Sequence, residues 1–140
     1  MITVFIDTNV IISGIFFSGH ESKILDSREL KLVTADICKE ETFEVVERKF
    51  EELSSRSLKK VLGEVEEALM DIEMIEEEEY REKMDIAERC LDGENDRKVL
   101  AAVLAYEPDH FITGDGHFHN EEVEARVDMI RSRDLLEKIR

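Results

Sequence analysis

The N-terminal stretch MITVFIDTNVIIS places an acid directly after a short apolar run. Residues 2–6 are apolar and rich in β-branched side chains but too few for an ordinary helix, which indicates a strand buried on both faces. The polar residues Asp7 to Asn9 would then lie at the carboxyl end of that strand, where open α/β sheets place their ligand sites. An Asp or Thr here could equally cap the helix that begins at Val10. This stretch alone leaves both alternatives open.

Further along the chain, strands are expected at residues 32–34, at 72–75 on an edge, at 110–113 and at 127–130. Helical patterns separate them, including one continuous helix over residues 78–90. Strands that alternate with helices predict an α/β fold with a central, mainly parallel sheet covered by helices on both faces. With 140 residues, we expect a single domain over residues 1–140.

The composition restricts the class of protein. Hydrophobic residues make up 42% of the chain and charged residues 39%, which is typical of a globular protein. No apolar run reaches membrane-spanning length, so we expect a soluble, cytoplasmic protein without a membrane partner. Cys38 and Cys90 are isolated and suit core positions in a reducing compartment rather than a zinc site.

The net charge is −16, which argues against binding nucleic acid by bulk electrostatics, although a local basic groove is not excluded. Five residues are candidate phosphate contacts, and each could equally belong to the ordinary polar face of its helix: Arg56, Lys59, Lys60, Arg97 and Lys98.

Four acids without obvious partners are expected to meet at the carboxyl edge of the sheet. Asp7 and Asp115 each follow a buried strand, Asp96 opens a strongly apolar helix, and Glu41 interrupts the apolar stripe of another. Carboxylates held together away from water repel one another, so the arrangement makes physical sense if a divalent cation neutralises them. Oxygen ligands without a His or Cys cluster favour Mg²⁺ or Mn²⁺.

Glu40 competes with Glu41 for this place. At about 100° per residue, Glu41 stays close to Ile37 and Val45 on the apolar stripe, whereas Glu40 turns toward the charged face. The helical phase therefore favours Glu41.

Taken in order, these motifs resemble a PIN domain. The resemblance is carried by Asp7-Thr8-Asn9 after the first strand, Glu41 ahead of Val45-Val46, Asp96 ahead of Val99 to Ala102, and Thr113-Gly114-Asp115 after a strand. It extends along the whole chain.

The resemblance implies a three-layer α/β/α metal-dependent nuclease that cleaves RNA and often forms the toxin half of a toxin–antitoxin pair. Carried over by position, Asp7, Glu41, Asp96 and Asp115 would be its catalytic and metal-binding acids, bound to Mg²⁺ or Mn²⁺. Asn9 and Thr113 match supporting positions that orient carboxylates or water. The chain departs from the family where relatives often place a further acid, because it has Gly116-His117-Phe118 there.

Individual acids also have purely structural explanations. Asp96 could cap its helix and Asp115 could form a Gly-Asp-Gly turn, but this account requires several coincidences. His117 and His119 flank Phe118 near the proposed cleft, where one of them could contact substrate. They are interpreted as exposed loop histidines without a role.

The leading hypothesis is a divalent-metal-dependent endoribonuclease that activates water for in-line attack on phosphorus. One alternative is a PIN-fold module that binds or helps to process RNA without cleaving it. A lesser alternative is an aspartyl phosphatase, but those sites usually have a second Asp two residues after the first, where this chain has Asn9. We also expect a homodimer, since Phe16, Phe17, Phe43 and Phe50 lie on short helices that one small core would not cover completely.

Overall fold

A four-stranded, all-parallel sheet forms the centre of the computed structural model, which describes residues 1–140. The strands are β1 (Ile2–Ile6), β2 (Leu30–Ala35), β3 (Glu73–Ile75) and β4 (His110–Ile112), and they lie in the order β3-β2-β1-β4. β1 is therefore central and pairs with β2 on one side and with β4 on the other. Helices flank the sheet, so the predicted three-layer α/β/α fold is confirmed.

Nine α-helices connect and cover the strands. They are α1 (Thr8–Phe16), α2 (His20–Asp26), α3 (Asp36–Lys49), α4 (Ser55–Met70), α5 (Glu77–Tyr80), α6 (Met84–Cys90), α7 (Glu94–Tyr106), α8 (Glu121–Glu124) and α9 (Ser132–Lys138). α7 packs against α5 and α6, and α1 packs against α2 and α3. None of these helices combines the length and the apolar character that a membrane crossing requires.

The core begins at β1. Val4, Phe5 and Ile6 are completely buried although neighbouring side chains on a strand point to opposite faces, so this strand is covered on both faces as its apolar sequence predicts. Phe5 meets Phe111 of β4 edge to face, with 5.6 Å between ring centroids. Phe111 in turn packs on Phe118, which lies just beyond β4. This aromatic contact fixes the end of β4 against β1.

The predicted strand over residues 127–130 is wrong in its extent. Only Met129 pairs with β4, through an isolated parallel bridge to Phe111. The amide of Val127 is still bonded to the carbonyl of Val123, and α9 begins at Ser132, so little chain is left to extend the ladder.

The predicted continuous helix over residues 78–90 is also interrupted. A short 3₁₀ turn, Arg81–Lys83, separates α5 from α6. Tyr80 is buried at this break, and its hydroxyl donates to Asp36 at 2.7 Å. This long-range contact, which local helical periodicity does not encode, lies at the break between α5 and α6.

The aromatic residues that suggested a dimer are mostly covered by the chain itself. Phe16, Phe43 and Phe50 are half-buried and pack against the core, and Phe16 contacts Phe50 with ring centroids 5.4 Å apart. Phe17 differs, because 65% of its surface is exposed. The apolar surface left for a partner is therefore smaller than the sequence suggests.

Candidate active site

The site lies where the chain changes sides in the sheet. From β1 the chain adds β2 and β3 in one direction, and it then returns to place β4 on the other side of β1. In open parallel sheets such a switch point opens a crevice at the carboxyl ends of the two strands. Asp7 directly follows β1, and Thr113 to Asp115 directly follow β4, so both acids lie at this crevice.

One cavity of about 350 Å³ at this edge is lined by all four predicted acids, Asp7, Glu41, Asp96 and Asp115. Asn9, Lys49 and Phe17 also line it. A larger groove of about 800 Å³ runs beside the end of β4 and includes Thr113 but none of the four acids. The four predicted acids are therefore together in the smaller cavity.

Asp7 is buried and fully hydrogen-bonded. Its Oδ1 accepts from the Thr8 amide at 2.8 Å, and its Oδ2 accepts from the Thr113 hydroxyl at 2.7 Å. Burial raises the pKa of Asp7, the bonds from Thr113 and Thr8 lower it, and the charge of Asp115 raises it. Asp7 is also the N-cap of α1, so the cap and the cavity position are compatible rather than exclusive.

Thr113 connects the ends of β1 and β4. Its hydroxyl donates to Asp7, and its oxygen accepts from the Asp115 amide at 3.0 Å. Beside it, Asn9 Oδ1 accepts from the Gly114 amide at 3.2 Å. These bonds hold the loop after β4 against the start of α1 and orient the carboxylate of Asp7.

Glu41 faces the cavity, whereas Glu40 is exposed outside it. Burial raises the pKa of Glu41 to about 7, with further contributions from the charges of Asp7, Asp96, Glu44 and Asp115. The helical phase thus identifies the glutamate of the pair that lines the cavity. The raised pKa values of Glu41 and Asp7 measure the repulsion and lost hydration that a bound cation would relieve.

Asp96 lies in the first turn of α7, which begins at Glu94 rather than at Asp96 itself. No side chain caps this helix, so the simple cap interpretation of Asp96 is wrong. Its Oδ2 instead lies 3.1 Å from His117 Nδ1. The same nitrogen is 3.3 Å from Asp115 Oδ1.

His117 is the residue that sequence reasoning missed. The ligand atoms of Asp96, Asp115 and His117 all lie within 4.8 Å of one another, and this tight group contains neither Asp7 nor Glu41. The available signal was its position two residues after Asp115, in the place where the family often has an acid.

The basic candidates lie outside the cavity. Arg56, Lys59 and Lys60 are exposed near the start of α4, and Arg97 donates through Nε to the carbonyl of Leu91 at 2.6 Å. Lys98 likewise does not line the cavity. The basic side chain that lines the cavity beside the acids is Lys49, in the last turn of α3. The sequence analysis did not identify this residue.

The donor set suits a hard divalent cation. Carboxylate oxygens dominate it, no second imidazole or thiolate joins His117, and the buried Cys38 thiol has its pKa raised to about 12 by burial and by Asp7. The residues present therefore fit Mg²⁺ or Mn²⁺.

Comparison with known proteins agrees with this fold. A family model described as the PIN domain matches residues 3–117. No curated protein matches the chain by sequence. Three crystal structures have a similar fold. VapBC2 from Rickettsia felis, bound to a DNA fragment from its promoter, aligns with a TM-score of 0.65 and 14% identity over 93% of this chain and 98% of that chain.

The second structure, DNA-bound VapBC from Salmonella typhimurium, has a TM-score of 0.68 and 15% identity over 94% of this chain and 99% of that chain. VapBC-1 from nontypeable Haemophilus influenzae has a TM-score of 0.64 and 15% identity, with the same two coverages. At such identities the likeness establishes the fold alone.

The raised pKa of Glu41 predicts a pH-dependent stability in metal-free protein. The carboxyl stays protonated in the folded state up to about pH 7, but in the unfolded chain it ionises near the ordinary glutamate pKa of 4.5. The contribution of the Glu41 carboxyl to the free energy of unfolding is therefore complete below pH 4.5. It is lost as the pH rises through 7. Glu41→Gln should gain stability relative to the original protein over this interval, as measured by urea unfolding in EDTA.

Glu40→Gln is the matched control, since Glu40 is exposed on the adjacent position of the same helix. Its unfolding free energy should follow the original protein across the same pH range. Identical pH profiles for the two variants would show that neither burial nor the charges of the other acids raise the pKa of Glu41.

Proposed function

This chain belongs to the PIN domain family, and we propose on that premise that it is a divalent-metal-dependent endoribonuclease. The observation that carries the proposal is the single cavity at the switch point of the sheet, which Asp7, Glu41, Asp96 and Asp115 all line. Perturbed carboxyl pKa values in a cleft are typical of functional sites. RNA as the substrate is proposed from the family resemblance.

The four carboxylates are assigned as the ligands of Mg²⁺ or Mn²⁺. When bound, the ion would neutralise the acids, polarise the scissile phosphate and activate water for in-line attack on phosphorus. Asp7 is held for this task by Thr113 and by the N-terminus of α1, so neither of its oxygens is free to rotate away. Asn9 positions the loop that carries Asp115. No side chain forms a covalent bond to the substrate.

One side chain at the cavity rim suits the phosphate backbone of a nucleic acid. Lys49 supplies positive charge next to the acids. Basic side chains neutralise phosphates. Arg56, Lys59, Lys60, Arg97 and Lys98 would contact only more distant parts of an RNA, since they lie outside the cavity.

An antitoxin protein is the proposed partner. The similar solved structures are VapBC toxin–antitoxin complexes, and they support a role for this chain as the toxin of such a pair. An acidic chain with a net charge of −16 would favour a basic surface on that partner.

Two other functions use the same fold differently. A binding module without catalysis would retain RNA affinity but show no cleavage with Mg²⁺ or Mn²⁺. A phosphatase with Asp7 as the nucleophile is disfavoured, because the residue two positions on is Asn9, whose side chain holds Gly114. Cleavage of labelled RNA that depends on added metal separates these functions from the proposed one.

Glu41→Gln should reduce metal-dependent RNA cleavage by about 100-fold or more, since losing a ligand of the catalytic ion removes several kcal/mol of transition-state stabilisation. Glu40→Gln should retain most activity, because Glu40 lies outside the cavity. Initial rates on one labelled RNA at saturating Mg²⁺ and Mn²⁺ measure both. Equal losses in the two variants would contradict the assignment of Glu41.

We also propose a homodimer, for which the exposed Phe17 is the remaining apolar anchor among the four phenylalanines. Light scattering at micromolar concentration should give twice the chain mass of 16.3 kDa, and Phe17→Ser should shift this value toward one chain. A monomeric mass for the unmodified protein would remove the dimer from the account.

A further inference from the structure

His117 places a ring nitrogen between two of the proposed ligands. Its Nδ1 lies 3.1 Å from Asp96 Oδ2 and 3.3 Å from Asp115 Oδ1. In the six-coordinate shell of one small ion, with bonds of about 2.1 Å, neighbouring ligand atoms are roughly 3 Å apart and opposite ones roughly 4.2 Å. The three ligand atoms, all within 4.8 Å of one another, therefore have a spread that one ion can span with small adjustments.

The backbone of His117 is fixed although its side chain is 77% exposed. Its amide donates to Asp115 Oδ1 at 2.9 Å, which holds the short turn Gly116–Phe118. The next residue, Phe118, is completely buried and packs edge-on against Phe111 at 5.2 Å between centroids. The ring is therefore presented at a defined place, while its exposure lets it turn toward an ion without repacking the core.

A plain surface ion pair is the competing explanation. Exposed pairs of this kind contribute little to stability and require no particular place in the fold. His117, however, contacts two acids from different elements, and both acids line the proposed metal cavity. An imidazole at that point adds a nitrogen donor where carboxylates alone would offer oxygen.

We propose that His117 is a direct metal ligand together with Asp96 and Asp115, and that its nitrogen makes the site prefer Mn²⁺ to Mg²⁺. This inference rests on the proposed function, because it concerns the same metal site. Mg²⁺ strongly favours oxygen ligands, whereas a transition-metal ion such as Mn²⁺ also accepts an imidazole nitrogen.

The experiment measures metal binding without any nuclease assay. MnCl₂ and MgCl₂ are titrated separately into the full chain by calorimetry at pH 8. Pulsed electron paramagnetic resonance of the Mn²⁺-loaded protein should show coupling to a ¹⁴N nucleus. His117→Ala should abolish this coupling and weaken Mn²⁺ binding by at least about tenfold, the lower end of the loss seen even for supporting residues of metal sites.

Two further variants make the result specific. His119→Ala removes the neighbouring exposed histidine and should change neither the ¹⁴N coupling nor the Mn²⁺ affinity. His117→Asp supplies a hard oxygen in place of nitrogen and should shift the preference toward Mg²⁺. Melting curves in EDTA establish that each variant is folded.

The outcomes separate this inference from the proposed function. If the original protein binds Mn²⁺ without ¹⁴N coupling, and His117→Ala keeps the same ratio of Mn²⁺ to Mg²⁺ affinity, the role of His117 is overturned while the acidic metal site remains. If neither ion binds the original protein, both the ligand assignment of His117 and the metal-dependent nuclease are overturned.

Discussion

The parallel pairing of β1 with β4 is the interaction on which the site depends. Because β4 returns to the free side of β1, the residues after these two strands are brought together although they are more than a hundred positions apart in sequence. The hydroxyl of Thr113 then joins the two strand ends by donating to Asp7 and accepting from the Asp115 amide. The remaining acids, Glu41 and Asp96, arrive on helices that pack around this junction.

Gathering these carboxylates has an energetic cost that the fold offsets only in part. Asp7 and Asp96 each lie at the N-terminus of a helix, where the helix dipole favours negative charge, and Asp7 accepts two strong hydrogen bonds. The pKa of Asp7 is nevertheless raised, and that of Glu41 reaches about 7. A divalent cation would relieve residual repulsion of this kind, so the cost in the metal-free protein and the proposed affinity for metal would have the same origin.

Local sequence patterns were enough to predict β1, the α/β class and the side of α3 that faces the cavity. Each depends on short-range periodicity, such as the uninterrupted apolar run Val4 to Ile6 or the place of Glu41 on the apolar stripe. The misjudged features depend on long-range contacts. Residues 127–130 form a single bridge to Phe111, and the break near Tyr80 accompanies its bond to Asp36.

The same distinction applies within the site. Acids at strand ends can be recognised from sequence because the α/β topology brings those ends to one edge. The place of His117 depends instead on how the turn after Asp115 packs Phe118 into the core, which no periodicity describes. Lys49 was missed because the last turn of α3 lies near the cavity only once the helices have packed.

The central claim is that Asp7 belongs to a metal site and does more than cap α1. Asn caps a helix about as well as Asp, so Asp7→Asn can keep the bond from the Thr8 amide. It removes the charge, a hard oxygen ligand and the acceptor of the Thr113 hydroxyl. The test compares melting curves of the original protein and Asp7→Asn at pH 8, in EDTA and in millimolar Mn²⁺ or Mg²⁺. The account predicts that Asp7→Asn is no less stable in EDTA, since burial and the charge of Asp115 outweigh the hydrogen bonds at Asp7 and raise its pKa. It also predicts that the metal-induced stabilisation of Asp7→Asn is much smaller. The same metal-induced shift in both proteins would contradict it.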